Sequence, residues 1–584
     1  MKKGLVTVRR FALIALALLM VLMTGAVVQA AQFNFPYPNA SSKKGLYVCP
    51  GMEEDALELG VQHATINLSV GDFMPAKAYR NNTHSIPFTY EGTTYWFAKN
   101  AIERYDSELN RLAGGNVLVT AILLLPHRMD DMKYLIYPAA RSKSANYYQW
   151  NMTDPEAVRA LKAIVTFFQR RYCNPSGARI VGWIVGNEVN NSKVWNWAGN
   201  IGIDTYMDLY AAQVAEVFHA ARSVYANARI YMCLDHYWTA SNGSYWYAGK
   251  EILTRFAARM AARGLGGGSW CIAYHPYNIS EREPNIMSSS PSVTNDVNTR
   301  IITMKNLKVL TKFVRNNYSA NCRIILSEQG YSSVTSGRDT SPEQAKNVAL
   351  AYYIAQQNNM IDALILHRQV DHTGEGERYG LYTSWGGENA AYQKASWLAY
   401  KYADTTLTNK YTKYAAKQAK KISGKKVKKL LTVKNGKLKP LANPSWTMNY
   451  TNSFSPYGAL GQFRSGGDGY TLVHDYTRNP NVPWGMVREG RINCKKMKKF
   501  GFGVSVSSSA SGSATVYLRL WSGPKKYFDA SAVIPCGVRQ YLFANLKKWD
   551  ARKNITRVEI LIRPSGAGWT QSSTAQIFSV GIRK

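Results

Sequence analysis

Two short motifs carry carboxyl groups in settings suited to chemistry: Gly186-Asn187-Glu188 and Ser327-Glu328-Gln329-Gly330. A pair of carboxyls can divide acid–base and nucleophilic work. One, kept protonated by burial or a like-charged neighbour, donates to a leaving oxygen; the other stays ionised and attacks. This is the chemistry of acetal cleavage. The two groups must flank the bond, about 5–5.5 Å apart for retention of configuration and about 6.5–9.5 Å apart for inversion. Histidine is scarce, with nine in 584 residues. Five of the nine (His127, His236, His275, His367 and His372) follow short apolar runs, in segments such as Asp235-His236-Tyr237-Trp238 and His275-Pro276-Tyr277-Asn278.

The elements that must position these residues alternate. Strand-like runs at 45–48, 64–68, 117–125, 180–185, 229–234, 270–274, 323–326 and 363–366 are followed by helical patterns at 53–59, 98–112, 155–172, 205–225, 250–263, 297–316, 342–357 and 390–402. A hairpin is expected around Glu91-Gly92, inside an insertion after the second strand. Alternation of this kind implies parallel βαβ units, and continuous apolar runs such as Ile122-Leu123-Leu124-Leu125 fit strands covered on both faces. Eight repeats predict a (β/α)8 TIM barrel over 31–405. In such a barrel the active site lies at the C-terminal ends of the strands. Glu188 follows strand four and Glu328 follows strand seven, on opposite sides of the mouth.

Asn-Glu after strand four and Glu after strand seven resemble the signature of glycoside hydrolase clan A, the retaining (β/α)8-barrel glycosidases. The resemblance covers roughly residues 45–402. It implies Glu188 as general acid/base, Glu328 as nucleophile, Asn187 on the sugar 2-hydroxyl, and Tyr277 or His275 orienting the nucleophile. It implies a polysaccharide or oligosaccharide substrate and no cofactor or metal. The chain also resembles an uncharacterised family of secreted barrel proteins from gut bacteria. Two departures from clan A stand out. The second strand ends in Asn67-Leu68-Ser69 without the Arg many members have near the nucleophile, and His367-Arg368 stand where a Trp platform is common.

Plainer roles compete with each of these. Glu188 can cap the following helix or pair with Arg128, and Glu328 can be structural. The histidines can bind a metal, although no His-x-His pair marks the first strand. His127, His236, His275 and His367 are read as sugar hydrogen-bonders. Trp238, with Trp195, Trp197 and Trp385, is a candidate sugar platform or core packing. Glu375 and Glu377, in a Gly-rich loop, are rival carboxylates. A non-catalytic, wall-associated carbohydrate-binding protein on a barrel scaffold is the alternative function.

Beyond the barrel, residues 406–442 read as a Lys-rich linker, with Asn435-Gly436 as a hairpin turn. Between Lys410 and Lys439 there is no acidic residue. Residues 443–584 read as an all-β, jelly-roll-like sandwich resembling carbohydrate-binding modules, with Trp484, Trp521 and Trp569 as candidate ligand rings. The net charge is +35, which suits an anionic cell wall reached through the linker, or an acidic glycan. No recognition motif points to nucleic acid. Residues 1–30 read as a signal peptide: Lys2, Lys3, Arg9 and Arg10, an apolar run, then Val28-Gln29-Ala30. A secreted, extracellular or wall-associated protein is therefore expected, with no stable membrane insertion. None of the seven cysteines sits in a CxxC spacing; Cys494 and Cys536 can pair or remain buried thiols.

Overall fold

The structure, a computed structural model, describes residues 31–584 except 142–144, 176, 178, 282, 373, 443, 468, 476–480, 509–511 and 566–570. The expected signal peptide and Trp569 lie outside the described residues.

Eight parallel strands close into a barrel: β1 (Lys44–Tyr47), β2 (His63–Ser69), β3 (Leu118–Leu124), β4 (Ile180–Val185), β5 (Arg229–Leu234), β6 (Cys271–Tyr274), β7 (Ile324–Gln329) and β8 (Ile361–Leu366), with β8 returning to β1. Each is followed by a helix: α1 (Glu53–Leu59), α2 (Lys99–Gly114), α3 (Pro155–Arg171), α4 (Ile203–Val224), α5 (Gly249–Ala262), α6 (Lys308–Asn317), α7 (Ser341–Gln357) and α8 (Ala395–Tyr402). The strands are apolar throughout because helices cover the outside while side chains fill the inside. Every residue of β3 and β4 is buried. Alternate residues (Ile122 and Leu124, Ile184, Tyr231 and Cys233, Cys271 and Ala273, Ile325, Ala363 and Ile365) form a separate interior cluster, as period-2 geometry requires. Gly45 lets the short β1 close the ring. A Cβ there would meet Ile365 Cδ1 at 2.4 Å and the Leu364 carbonyl at 2.7 Å. Helix starts are locally encoded: Asp154 accepts from the Glu156 amide and Pro155 opens α3. The insertion hairpin pairs Ser85–Tyr90 with Thr93–Ala98, and its turn residues Glu91 and Gly92 both have positive φ.

The Lys-rich segment is not a loose linker. Residues Lys410–Ser423 form a helix, α9, capped by Asn409 and terminated by Gly424 in the left-handed conformation. Its buried Thr412, Ala415 and Ala419 share one face, packed on α7; these small residues give the lysine-rich sequence an adhesive stripe. Nor is Asn435-Gly436 a hairpin turn. It lies within one strand, β9 (Thr432–Pro440), whose first part pairs in parallel with Lys526–Pro535 and whose last residues pair antiparallel with Gln540–Asn545. Gly436 is needed for packing: a Cβ there would meet the Phe528 ring at 2.3 Å.

β9 thus joins both sheets of the C-terminal sandwich. One continues through β12 (Ser513–Trp521) and β15 (Ile555–Pro564), the other through β11 (Lys499–Ser508) and β16 (Ser573–Arg583); between them in sequence come β13 (Lys526–Pro535) and β14 (Gln540–Asn545), and ahead of them β10 (Trp484–Ile492). One expected ligand ring serves packing instead: Trp484 is fully buried and stacks on His474. Trp521 is half-buried, packs on Tyr527 and donates to Glu559. All seven cysteines are free thiols.

Barrel and sandwich meet through buried charges. Arg563 of β15 reaches Asp55 (2.6 Å) and Glu58 (2.7 Å) of α1, and Lys401 of α8 also holds Glu58 (2.9 Å). Asp55 further accepts from Tyr382 and from Gln369, whose own Oε1 accepts from the Cys49 amide. The sandwich therefore touches the network that fixes the segment after β8.

Candidate active site

The C-terminal ends of the strands surround a cavity of about 420 Å³. Ile122 and Leu124 from inside the barrel, and Tyr47, Tyr147, Trp195, Tyr237, Trp246 and Tyr379 contribute apolar and aromatic surface. Polar lining comes from Asn187, Glu188, Asp235, Glu281, Glu328, Arg368, Glu375 and Glu377.

Glu188 stands on a tight turn. Gly186 (φ +75°) ends β4, and Glu188 itself has φ +36°, a left-handed conformation that is unfavourable for a residue with a side chain. The turn is held by the Val189 amide on the Cys233 carbonyl (3.0 Å) and the Asn191 amide on the Glu188 carbonyl (2.8 Å). Glu328 needs no turn, because β7 runs on to Gln329, past the expected end. Gly330 then lets the chain pass under Tyr379 and the His367 carbonyl, which a Cβ would strike at 2.6 and 2.7 Å.

His275 joins the two carboxylates. Its Nδ1 lies 2.8 Å from Glu188 Oε1 and 3.8 Å from Glu328 Oε2. Those two oxygens are therefore at most 6.6 Å apart, the sum of the two distances. The Tyr277 hydroxyl donates to Glu328 Oε1 at 2.7 Å. Burial opposes ionisation of Glu328, but positive charge on His367 and His275, together with the Tyr277 hydroxyl, outweighs it and holds the carboxyl below its ordinary range. Burial likewise opposes a charged His275, yet the Cys233 sulfur, Glu328 and Glu188 around it raise the imidazole well above its usual value. Two neighbouring acids move the other way. Burial, followed by the Glu188 charge, pushes Asp235 up to about 7, although Asn190, Trp246 and the Tyr237 amide all donate to it. Glu281, which keeps solvent contact, is pushed up to about 7 by partial loss of hydration in the cavity, then by Glu188 and Glu328.

Of the residues singled out from sequence, Asn187, Glu188, Glu328, His236, Tyr277 and His367 line the cavity. His275 sits behind it, 1% exposed, as a partner of the carboxylates rather than a wall. His236 is pinned to the Tyr277 carbonyl, and burial pulls its imidazole down to about 4. His127 is not among the lining residues; its Nε2 is 3.8 Å from Asp130 and its ring meets Tyr148 edge-on. Trp238 is fully buried, donating to the Val297 carbonyl against the Phe313 ring, so it cannot be a platform. Among the described residues no group of three or more His, Cys, Asp or Glu side chains is arranged to hold a metal ion. Trp195 does line the cavity, stacked with Tyr147, and the rival carboxylates Glu375 and Glu377 line it too. Glu375 is tied to Arg368 (3.2 Å) and His367 (3.4 Å), and Arg368 also to Glu388 (2.7 Å).

Tyr47, Tyr147, Trp246, Glu281 and Tyr379 were not singled out from sequence. Tyr47 ends β1, and the strand-end rule applied to that strand finds it. The other four sit in loops, whose path no local pattern encodes.

Two carboxylates facing one cavity, one held ionised and both touching a single imidazole, can act together on one substrate atom and its leaving group. Comparison with curated proteins gives no match. Solved structures similar in fold include a glucosidase from Croceicoccus marinus (9% identity, TM-score 0.40, 94% of this chain and 100% of that chain). Others are GH5_18 from Bifidobacterium longum subsp. longum (12%, 0.39, 68% and 83%) and a Bacteroidetes-affiliated GH5 cellulase linked with a polysaccharide utilization locus (11%, 0.39, 69% and 96%). Residues 36–429, which hold the whole barrel and α9, match a family described as "Family of unknown function (DUF5722)", and the chain belongs to that family.

Proposed function

We propose that the protein is a retaining glycosidase. The observation that carries this reading is the pair Glu188 and Glu328 across one cavity, linked through His275 Nδ1. Their bound of 6.6 Å favours retention, for which carboxyls lie about 5–5.5 Å apart, over inversion, which begins at about 6.5 Å. In the first step a Glu328 oxygen attacks the anomeric carbon. The glycosidic bond breaks, and the leaving oxygen takes the proton from Glu188. In the second step Glu188 accepts a proton from water, the hydroxide oxygen bonds to the anomeric carbon, and the Glu328 ester bond breaks. His275 and Tyr277 stabilise the ionised Glu328 between cycles, and Asn187, which lines the cavity, hydrogen-bonds the sugar 2-hydroxyl.

The cavity favours an uncharged or amino-bearing sugar over an acidic one. Six carboxyl side chains line it, and its arginine, Arg368, is already paired with Glu375 and Glu388. The aromatic walls suit the apolar faces of sugar rings. The protein's basic charge therefore serves something other than the substrate pocket. Secretion is part of the proposal and rests on the basic and apolar pattern of residues 1–30; no helix among the described residues is long and apolar enough to cross a membrane. The test is a panel of aryl glycosides and polysaccharides. Glu328→Gln should abolish turnover, and Glu188→Ala should retain more activity on good leaving groups than on poor ones. Full activity in Glu328→Gln, or glycan binding with no cleavage by the unaltered protein, overturns the reading.

A further inference from the structure

The positive charge is concentrated on a built surface away from the cavity. A groove of about 310 Å³ lies between α6 and the end of α9. Its cations are Lys305, Lys308, Lys312 and Arg315 from the α6 side and Lys425 from beyond α9, and no acidic residue lines it. Lys308, Lys312 and Arg315 recur every three or four residues, so they share one face of α6. None of the five has a carboxylate partner among the described residues: Lys305 donates to the Met287 and Ser288 carbonyls, Lys308 to the Ile422 carbonyl, and Arg315 to the Asn359 side chain. Along α9, whose end lines the groove, Lys413, Lys417, Lys420 and Lys421 stand exposed, and Lys426 and Lys428 follow.

This arrangement is unfavourable by itself. Like charges at helical spacing repel, and Lys308, the first residue of α6, opposes its dipole. A bound polyanion reverses both effects. The lining also includes Gln357, Asn358 and Asn359, and Gln357 Oε1 is buried without a hydrogen-bond partner among the described residues. Amides suit hydroxyl groups as well as charge. The lining holds no aromatic ring, so bases have no surface on which to stack. Asn358 and Asn359 precede β8, which places the groove toward the N-terminal end of the barrel strands, whereas the cavity lies at their C-terminal end.

We propose that this groove and the adjoining face of α9 bind a linear acidic polysaccharide, one with an anionic group and free hydroxyls on each repeat. Binding there leaves the cavity open to a different, uncharged glycan. The inference does not depend on the glycosidase reading.

The test is equilibrium binding of the full chain to two immobilised probes, polygalacturonic acid and a phosphodiester-linked glycan, with double-stranded DNA as comparator. Binding to either glycan supports the proposal and identifies the anion. Lys308→Ala/Lys312→Ala/Arg315→Ala/Lys425→Ala should weaken it by about tenfold or more and flatten its salt dependence. The charge-matched Lys434→Ala/Lys437→Ala/Lys439→Ala/Lys526→Ala, on exposed strand positions of the sandwich, should change it little. Lys312→Glu/Lys425→Glu gives the same comparison without removing the Lys308 and Arg315 hydrogen bonds. Binding to neither glycan, equal losses in the groove and charge-matched variants, or tighter binding to DNA that the groove variant abolishes would each overturn the proposal.

Discussion

Replacing Tyr277 with Phe removes one oxygen and isolates one interaction. The hydroxyl donates to Glu328 Oε1 at 2.7 Å, while the nearer imidazole nitrogen stands 3.8 Å from Glu328 Oε2. Of these two, the hydroxyl is the closer donor to the proposed nucleophile. A hydrogen bond to a charged group is worth about 1.5–3 kcal/mol, and about 1.36 kcal/mol is a factor of ten in rate. Loss of the donor should raise the Glu328 pKa. The sign follows from the present balance. Burial pushes the carboxyl up, while His367, His275 and Tyr277 hold it down, so removing one of the latter moves it up. Glu328 must be ionised to attack, so activity is present above its pKa and lost as pH falls through it. The acid limb of the kcat/KM profile should shift to higher pH, so that kcat/KM on that limb falls about ten- to a hundredfold below the parent protein, while the plateau, where Glu328 is already ionised, is less affected. The assay is kcat/KM against pH on an aryl glycoside with a good leaving group, where proton donation by Glu188 matters least. An acid limb within about twofold of the parent protein's refutes the assigned geometry.

Further outcomes follow from the same structure. His275→Asn removes the cation between the carboxylates, so the acid limb in a pH–rate profile should again move up, and Glu188 loses its 2.8 Å partner. Arg563→Ala leaves Asp55 and Glu58 buried without their shared guanidinium; thermal or denaturant unfolding should show a loss of about 3–5 kcal/mol. For Glu58, burial acts upward, but Arg563, Lys401 and Arg519 outweigh it and depress its pKa. Its pairing therefore stabilises fully above the ordinary carboxylate range and is lost as pH falls through the depressed value, so calorimetry at low pH should show the barrel–sandwich junction weakening. His127→Ala, which changes a residue outside the cavity lining, should leave KM for the best substrate unchanged; a large increase would show that His127 moves into the site.

The eight βα units were legible because buried parallel strands must be apolar on both faces and their covering helices amphipathic, a pattern each segment carries locally. β4 and β5 have the bounds their apolar runs predict. Glu188 and Glu328 were legible for a related reason: once the strands are counted, the barrel brings their C-terminal ends together. The hydrophobic pattern could not say what a lysine-rich stretch does. Ala415 and Ala419 make α9 a docked helix, and Gly436 lets β9 run past Phe528 where a turn was expected. These are contacts with partners far away in sequence. The same limit governs the site. That His275 bridges two glutamates 87 and 53 positions away, that Trp238 faces Phe313 rather than the cavity, and that Glu281 comes to it from a loop depend on side-chain direction and loop path. Sequence determined which strand ends, and with them Glu188 and Glu328, stand at the barrel mouth, because strand period and order are local properties. Tertiary structure decided which of them touch, because closing the barrel and docking the sandwich set distances that no local pattern contains.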